Sequence, residues 1–272
     1  MRIGVLGCAG RMGRAVVGEV LAAEALELAG GVESPGHPAL GQDLGVLAGA
    51  DPAGVAASAD AEALLAAADV VIEFSAPEAT AAHVAIAAVR GTGHVIGTTG
   101  LSEAHERTLR DAARRTAIMR AANMSLGINL LLGLTAQVAR VLGPEAFDIE
   151  ILEMHHRHKV DAPSGTALAL GEAAARGRGV ELAAAAARGR DGLTGARKAG
   201  AIGFAALRGG DVVGDHVVIF AGAGERIELA HRATDRRIYA RGALAAARWL
   251  RGRPPGLYDM ADVLGLEGRA HE

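Results

Sequence analysis

Residues Glu153 to Thr166 read EMHHRHKVDAPSGT, with three histidines, an arginine and a lysine packed into positions 155 to 159. Imidazoles titrate near neutral pH, and the N-terminus of a helix presents N–H donors and positive potential to anions. Together they suit a small polyanion whose reaction needs a proton. The lysine sharpens this. Of 28 Lys plus Arg residues, only Lys159 and Lys198 are lysines. A guanidinium stays charged and flat, whereas an ammonium is compact and its pKa can move. A chain that otherwise chooses arginine has placed an ammonium inside the histidine cluster. The plain alternative is a solvated basic turn.

Pro163-Ser164-Gly165-Thr166 has the form of a helix start. Ser164 or Thr166 can cap it, and Gly165 lets an anion approach the exposed N–H groups. Lys159 and His156 add charge that can pair with a carboxylate. An unperturbed histidine titrates near ~6.5, so His155 can deliver a proton at neutral pH. Hydride from a nicotinamide plus that proton would reduce a C=C or C=N bond. His155, His156, His158 and Asp161 are also plausible metal ligands. Adjacent side chains of an extended chain point apart, however, and a metal leaves Lys159 unexplained, so the reading has no metal. By strand parity His231 is a sheet histidine. His37, His83, His94, His105 and His271 show no supporting company.

A second cluster lies near the start. Gly7-Cys8-Ala9-Gly10-Arg11-Met12-Gly13 is GxxGxxG between a strand and a helix. Gly7 suits the tight turn, Gly10 the approach of a pyrophosphate, and Gly13 close helix–strand packing. Glu33 falls about 20 residues on, where a carboxylate bonds a ribose 2′-hydroxyl. Ser34 carries no charge for a 2′-phosphate, so NADH is expected to serve at least as well as NADPH, unless Arg11 reaches that phosphate. Gly97-Thr98-Thr99-Gly100 and Ala121-Ala122-Asn123-Met124 end two further strands, and Thr98, Thr99 and Asn123 can hydrogen-bond the nicotinamide side.

The elements that must position these residues alternate strand and helix through the first half. Strands are expected at 2–6, 26–32, 69–74, 94–96 and 116–120, and helices at 11–23, 77–89 and from the Ser102 cap. Residues 35–60 read as irregular connection. Such βα units imply a mostly parallel sheet covered on both faces. The second half has helices at 126–142 and 164–177 and strands at 148–154, 201–207, 215–221 and 226–232. Its glycine turns at 209–211 and 222–224 suit antiparallel connections. The alanine run at 183–187 reads as compositional bias. A wide apolar face marks a final helix at 235–250. The expected fold is α/β: a Rossmann-like dinucleotide-binding domain (1–125 and 236–272) and an α+β substrate and oligomerisation domain with an open mixed sheet (126–235).

At 272 residues, half of them hydrophobic, the chain can bury a substantial core. A net charge of −3 gives no bulk attraction to nucleic acid or anionic membrane. The single cysteine, Cys8, fits a reducing compartment. No apolar run reaches the roughly 18–20 residues of a membrane span, and no signal peptide is expected, because the first residues already read as a core strand. A cytoplasmic protein is expected.

GCAGRMG at Gly7, GTTG at Gly97, AANMS at Ala121, EMHHRHKVDAPSGTA at Glu153, RGGDVVGDH at Arg208 and GLYDMADVL at Gly256 resemble the 4-hydroxy-tetrahydrodipicolinate (dihydrodipicolinate) reductases of lysine and diaminopimelate biosynthesis. The resemblance implies His155 as proton donor and acceptor and Lys159 as a second proton donor. It implies that His156, Gly165 and Thr166 bind the substrate's carboxylates. Gly7 to Met12, Glu33, Gly97 to Thr99 and Ala121 to Met124 would line NADH or NADPH. It further implies a homotetramer assembled through the open sheet, with domains that close on ligand. Ser34 and Met124 depart from some members, which have an arginine and an aromatic there. Two other readings remain: a different NAD(P)-dependent oxidoreductase of an acidic substrate, and a non-catalytic dinucleotide sensor.

Overall fold

The computed structural model describes residues 1–266. The chain forms two compact units, one of Met1–Leu126 with the stretch from Arg237, the other of Gly127–Arg236.

The first unit is built from β1 (Arg2–Leu6), α1 (Arg11–Leu21), β2 (Glu27–Val32), α2 (Leu44–Leu47), β3 (Ala57–Ser58), α3 (Ala61–Ala67), β4 (Val70–Glu73), α4 (Pro77–Arg90), β5 (Gly93–Ile96), α5 (Glu103–Ala113) and β6 (Ala117–Arg120). Next come α6 (Leu126–Val141), β7 (Phe147–His155), α7 (Gly165–Arg178), α8 (Leu182–Ala185), β8 (Ala186–Arg188), β9 (Ile202–Arg208), β10 (Gly214–Gly222) and β11 (Arg226–Ala233). The chain then returns to the first unit with α9 (Arg237–Leu250), β12 (Gly256–Tyr258) and α10 (Met260–Leu264).

The first sheet has the order β12-β6-β5-β4-β1-β2-β3, parallel in every pair. The order reverses between β1 and β4, which opens a crevice outside their carboxyl ends. Short runs such as Val70–Glu73 are buried at every position, as expected of strands covered on both faces. Val16, Val17 and Val20 of α1 join Ala240, Ala243, Leu244 and Ala247 of α9 in one apolar layer. Leu64 and Leu65 of α3 and Leu109 of α5 enter separate clusters with Val71 and Ile96.

The second sheet runs β11-β10-β7-β9-β8. The first two pairs are antiparallel and the last two parallel. Ile149, Ile151, Ile202, Phe204, Val218 and Phe220 pack against Leu170, Ala167 and Ala174 of α7. Phe220 is fully buried, so its truncation to alanine would cost about 3–5 kcal/mol. The opposite face carries Leu152, Met154, Val217 and Ile219, all part-exposed.

Several expectations are corrected. Residues 35–60 are organised, because one carboxylate collects four backbone donors. Asp43 accepts from Gly45 and Val46 at the start of α2 and from Ala53 and Gly54 beyond it. Hydrogen bonds of this kind leave no hydrophobic period to read. Beyond the expected helices, residues 61–67 form α3, capped by Asp60. The alanine run folds as α8 and β8, with Leu182 in the core. The 209–211 turn does not join antiparallel neighbours, since β9 pairs with β7 and β8, both parallel. His83 and His94 do have company, described below. His37 and His105 serve locally, accepting from the N–H groups of Ala39 and Ser102. His271 lies outside the described residues.

Candidate active site

Three strands of the second sheet deliver the chemistry. In β7 the inward parity runs Ile149, Ile151, Glu153, His155, so an apolar stripe ends in an acid and an imidazole. Register places Arg208 of β9 beside His155, and His216 of β10 beside Glu153. Glu153 is 1% exposed and His155 8%. His155 Nδ1 lies 2.6 Å from Glu153 Oε2. The Arg208 guanidinium donates to both carboxylate oxygens, each at 2.8 Å. The backbone N–H of Ser164 donates to Oε1 at 3.1 Å. Burial alone would raise the pKa of Glu153, but these bonds outweigh it and hold the carboxyl below its ordinary range.

The loop after β7 is tied to the turn after β9. Gly209 N–H donates to His155 O, His156 N–H to Val212 O, and Arg157 N–H to Gly210 O. The crossing turn therefore shapes the histidine loop, which is why the two motifs are separated in sequence but joined in space. Lys159 Nζ sits 2.8 Å from Asp161 Oδ1. Arg236 Nη2 reaches His156 Nε2 at 3.4 Å. Desolvation, then the charges of Arg236, His158, His155 and Lys159, push the pKa of His156 down.

Ser164 is the cap of α7, its Oγ accepting from Ala167 N–H at 3.1 Å. The same Oγ lies 3.0 Å from His216 Nε2. Burial, then the charge of His155, lowers the His216 pKa to about 4, so that ring is neutral at physiological pH. Gly165 is exposed, and a Cβ built there would meet nothing within 4 Å. The start of α7 thus stays open, and a helix N-terminus left open can receive a carboxylate. Thr166 is part-exposed one residue on.

In the first unit the glycines fit a dinucleotide. Gly7 has φ +78°, and a Cβ there would strike the carbonyl of Phe74. A Cβ at Gly13 would strike the carbonyl of Gly7, so the helix could not pack so closely with any larger residue. Gly10 is exposed and caps α1 without a side-chain hydrogen bond, which leaves the helix N-terminus to a pyrophosphate. Arg11 is exposed and Met12 part-exposed, while Cys8 and Ala9 are buried. Burial, then the Glu33 charge, raises the Cys8 thiol to about 11, so it is not a thiolate at neutral pH. Glu33 Oε1 accepts from Ala9 N–H at 2.8 Å, which brings that carboxylate to the glycine loop.

Gly97 packs under Phe74, where a Cβ would enter the ring. Thr99 is exposed, but Thr98 is turned inward. Its Oγ1 accepts from Ser75 N–H at 3.1 Å and from Thr80 Oγ1 at 3.0 Å. Ser75 in turn hydrogen-bonds Glu73. Glu73 is fully buried and lies 2.7 Å from both His83 Nδ1 and His94 Nε2. Ala121 and Met124 are buried, Ala122 is exposed and Asn123 is part-exposed. Asn123 Oδ1 accepts from Ser125 N–H at 2.9 Å.

The hydrogen-bonded groups not expected from the sequence are Glu153, Arg208 and His216 in one unit and Glu73, Ser75 and Thr80 in the other. For Glu153 a signal existed: a charge at an inward position of an alternating strand has to be paired. Among the described residues no group of three or more His, Cys, Asp or Glu side chains is placed to hold a metal ion, and no helix is long and apolar enough to cross a membrane.

A doubly wound parallel sheet with a glycine loop at its switch point, carried with an acid–imidazole–lysine sheet unit, defines an NAD(P)-dependent oxidoreductase. Residues 1–124 match the N-terminal family of dihydrodipicolinate reductase, and residues 127–264 its C-terminal family. The chain belongs to the dihydrodipicolinate reductase family. It is 59% identical to the 4-hydroxy-tetrahydrodipicolinate reductase of Rhodopseudomonas palustris (strain HaA2) over 266 residues, 98% of each chain. It is 60% identical over 268 residues to that of Parvibaculum lavamentivorans, again 98% of each. A dipicolinate-bound dihydrodipicolinate reductase from Paenisporosarcina sp. TG-14 shares the fold, with a TM-score of 0.78 at 24% identity over 96% of this chain and 98% of that one. An amine dehydrogenase from Mycobacterium smegmatis shares it more loosely, at a TM-score of 0.59 and 15% identity over 99% and 97%.

Proposed function

We propose that the chain reduces 4-hydroxy-tetrahydrodipicolinate to tetrahydrodipicolinate with NADH or NADPH, in lysine and diaminopimelate biosynthesis. Loss of water from the 4-hydroxy substrate precedes the reduction. The single observation that carries the reading is the open start of α7 at Gly165, whose cap Ser164 hydrogen-bonds the same Glu153 carboxylate that meets His155.

NADH or NADPH supplies a hydride when bound. The N–H groups of Arg11 and Met12 at the start of α1 receive the pyrophosphate, in the turn made by Gly7, Cys8, Ala9 and Gly10. Glu33 receives the adenosine ribose. Gly97, Thr98, Thr99, Ala121, Ala122, Asn123 and Met124 line the nicotinamide end, with Thr98 contributing backbone rather than its inward hydroxyl. Lys159, His156 and the N–H groups of Gly165 and Thr166 hold the two carboxylates. A substrate carboxylate exchanges for Asp161 at Lys159. His155 protonates the carbon next to the one that takes the hydride, so one hydride and one proton saturate one double bond. Lys159 is read as a second donor for that same proton.

The enzyme works in the cytoplasm as a homotetramer built on the open sheet face. The row of Leu152, Met154, Val217 and Ile219 supports this, since a part-exposed apolar face of that kind calls for a partner. The test of the reaction is oxidation of NADH and of NADPH by the purified chain, with substrate generated in the cuvette by dihydrodipicolinate synthase. Turnover that depends on the synthase supports the reading. Cofactor binding without turnover would replace it with a sensor.

A further inference from the structure

One buried carboxylate joins the two halves of the substrate site. Glu153 accepts four hydrogen bonds: Arg208 Nη2 and Ser164 N–H at Oε1, Arg208 Nη1 and His155 Nδ1 at Oε2. A carboxylate has about four lone-pair sites, so this one is saturated. It is ionised, because a bidentate guanidinium and a backbone donor already face it. An ionised carboxylate can only accept. The proton between it and His155 must therefore sit on Nδ1 of the ring.

We propose that Glu153, clamped by Arg208, is a positioning residue that commits Nε2 of His155 to the exchangeable proton and fixes that nitrogen relative to the carboxylate-binding start of α7. The proposal rests on the reading of His155 as proton donor. Its second half follows from Ser164, whose N–H bonds Glu153 while its Oγ caps α7. Donor and anion site thus hang on the same two oxygens. The space at Nε2 is kept by Gly214, where a Cβ would come within 3.0 Å of that atom. A clamp with a merely structural role would not need its last lone pair to end on the proton-transferring ring.

His155 is faced by Glu153 on its own strand, by Arg208 of β9, by neutral His216 of β10 at 5.1 Å between ring centroids, and by the loop that carries His156 and the Lys159–Asp161 pair. Glu153 Oε2 is the group that meets its Nδ1. With Glu153→Gln, Arg208 loses its counter-charge and the ring loses the acceptor-only partner that dictates its tautomer.

The experiment uses the full-length protein labelled with 15N-histidine, the His155 signals being assigned by their loss in His155→Gln. In wild type the neutral ring is expected to carry its proton on Nδ1. A neutral ring protonated on Nε2 in wild type overturns the proposal without any variant, so it stays testable should Glu153→Gln fail to fold. In folded Glu153→Gln, the neutral His155 ring is expected to lose its preference for Nδ1, with kcat lowered about 10- to 100-fold. An unchanged tautomer, with kcat lowered all the same, would reduce Glu153 to a structural role. The underlying reading fails separately: it falls if His155→Gln keeps wild-type kcat, whatever the spectra show.

Discussion

Glu73 and His94, 21 residues apart on neighbouring parallel strands, share a 2.7 Å hydrogen bond at zero solvent exposure. His83 of α4 completes the arrangement from the other oxygen. Through Ser75 the same carboxylate reaches Thr98, at the end of β5 where the nicotinamide side of the cofactor is expected. A buried charge is tolerated only when paired and hydrogen-bonded, and here both conditions are met.

This predicts a pH dependence of stability. Burial would raise the Glu73 pKa, but the bonds from His83 and His94 bring it down to about 2. A carboxyl depressed in the folded state stabilises it above the unfolded pKa, and that contribution is lost as pH falls through the folded one. The contribution should therefore be complete above about pH 5 and fade toward about pH 2, with a size on the order of 3 kcal/mol. Urea denaturation across this range should show Glu73→Gln less stable at neutral pH and with a flatter acid slope. Equal slopes for the two proteins would count against the pairing.

Gly165→Ala separates binding from folding. No atom stands within 4 Å of the added Cβ, so the fold has no reason to resist it. A helix gains by at most about 1 kcal/mol from the exchange, so Tm should hold or rise slightly. The methyl would stand where a carboxylate must approach the N–H groups. The KM for substrate should increase about tenfold, equal to ~1.4 kcal/mol, with the KM for cofactor unchanged. An unaltered substrate KM would move the anion site elsewhere.

The fold was legible wherever burial leaves a period. β1 was expected at the residues it occupies, and β7 and β10 followed from alternation to within a residue or two. The glycine loop was legible because Gly7 and Gly13 are required by backbone contacts that any side chain would violate. His155, Lys159 and Gly165 could be proposed together because the β7–α7 connection and its two ends carry them. Arg208 and His216 could not, since each enters the site through strand register, which sequence spacing does not encode. The Glu73 cluster was hidden for the same reason: its members are 10 and 21 residues apart and meet only through a parallel pair and a crossover helix. The 183–187 run deceived because alanine carries little pattern, and its place is decided by Leu182 in the core.

The proposed tetramer makes the open sheet face testable. Val217 lies between Leu152 and Ala230 in register, at the centre of that face and on the side away from His216 and Val218. Val217→Lys should leave the helix-covered core intact. Light scattering should then report a species smaller than the wild-type tetramer, with circular dichroism unchanged. A wild-type mass of one chain would remove the proposal, and a tetramer unaffected by the lysine would place the interface on another surface.

In the proposed cofactor site, the choice between NADH and NADPH turns on Glu33. Its carboxylate accepts from Ala9 N–H at 2.8 Å and from Ser34 N–H at 3.2 Å, so it is held at the glycine loop by two backbone donors. A fixed negative charge there receives a ribose 2′-hydroxyl and repels a 2′-phosphate. Ser34 adds no charge to offset it, and Arg11, exposed on the first turn of α1, is the nearest cation in sequence to the loop. Wild-type enzyme should therefore use NADH at least as well as NADPH. Glu33→Ala removes a charged hydrogen bond to the 2′-hydroxyl, which is about 1.5–3 kcal/mol, and should raise the KM for NADH by roughly 10-fold or more. The same change relieves repulsion and should lower the KM for NADPH. Parallel titrations of the two cofactors would show the curves crossing between wild type and variant. A strong NADPH preference in wild type, abolished by Arg11→Ala, would transfer the role from Glu33 to Arg11.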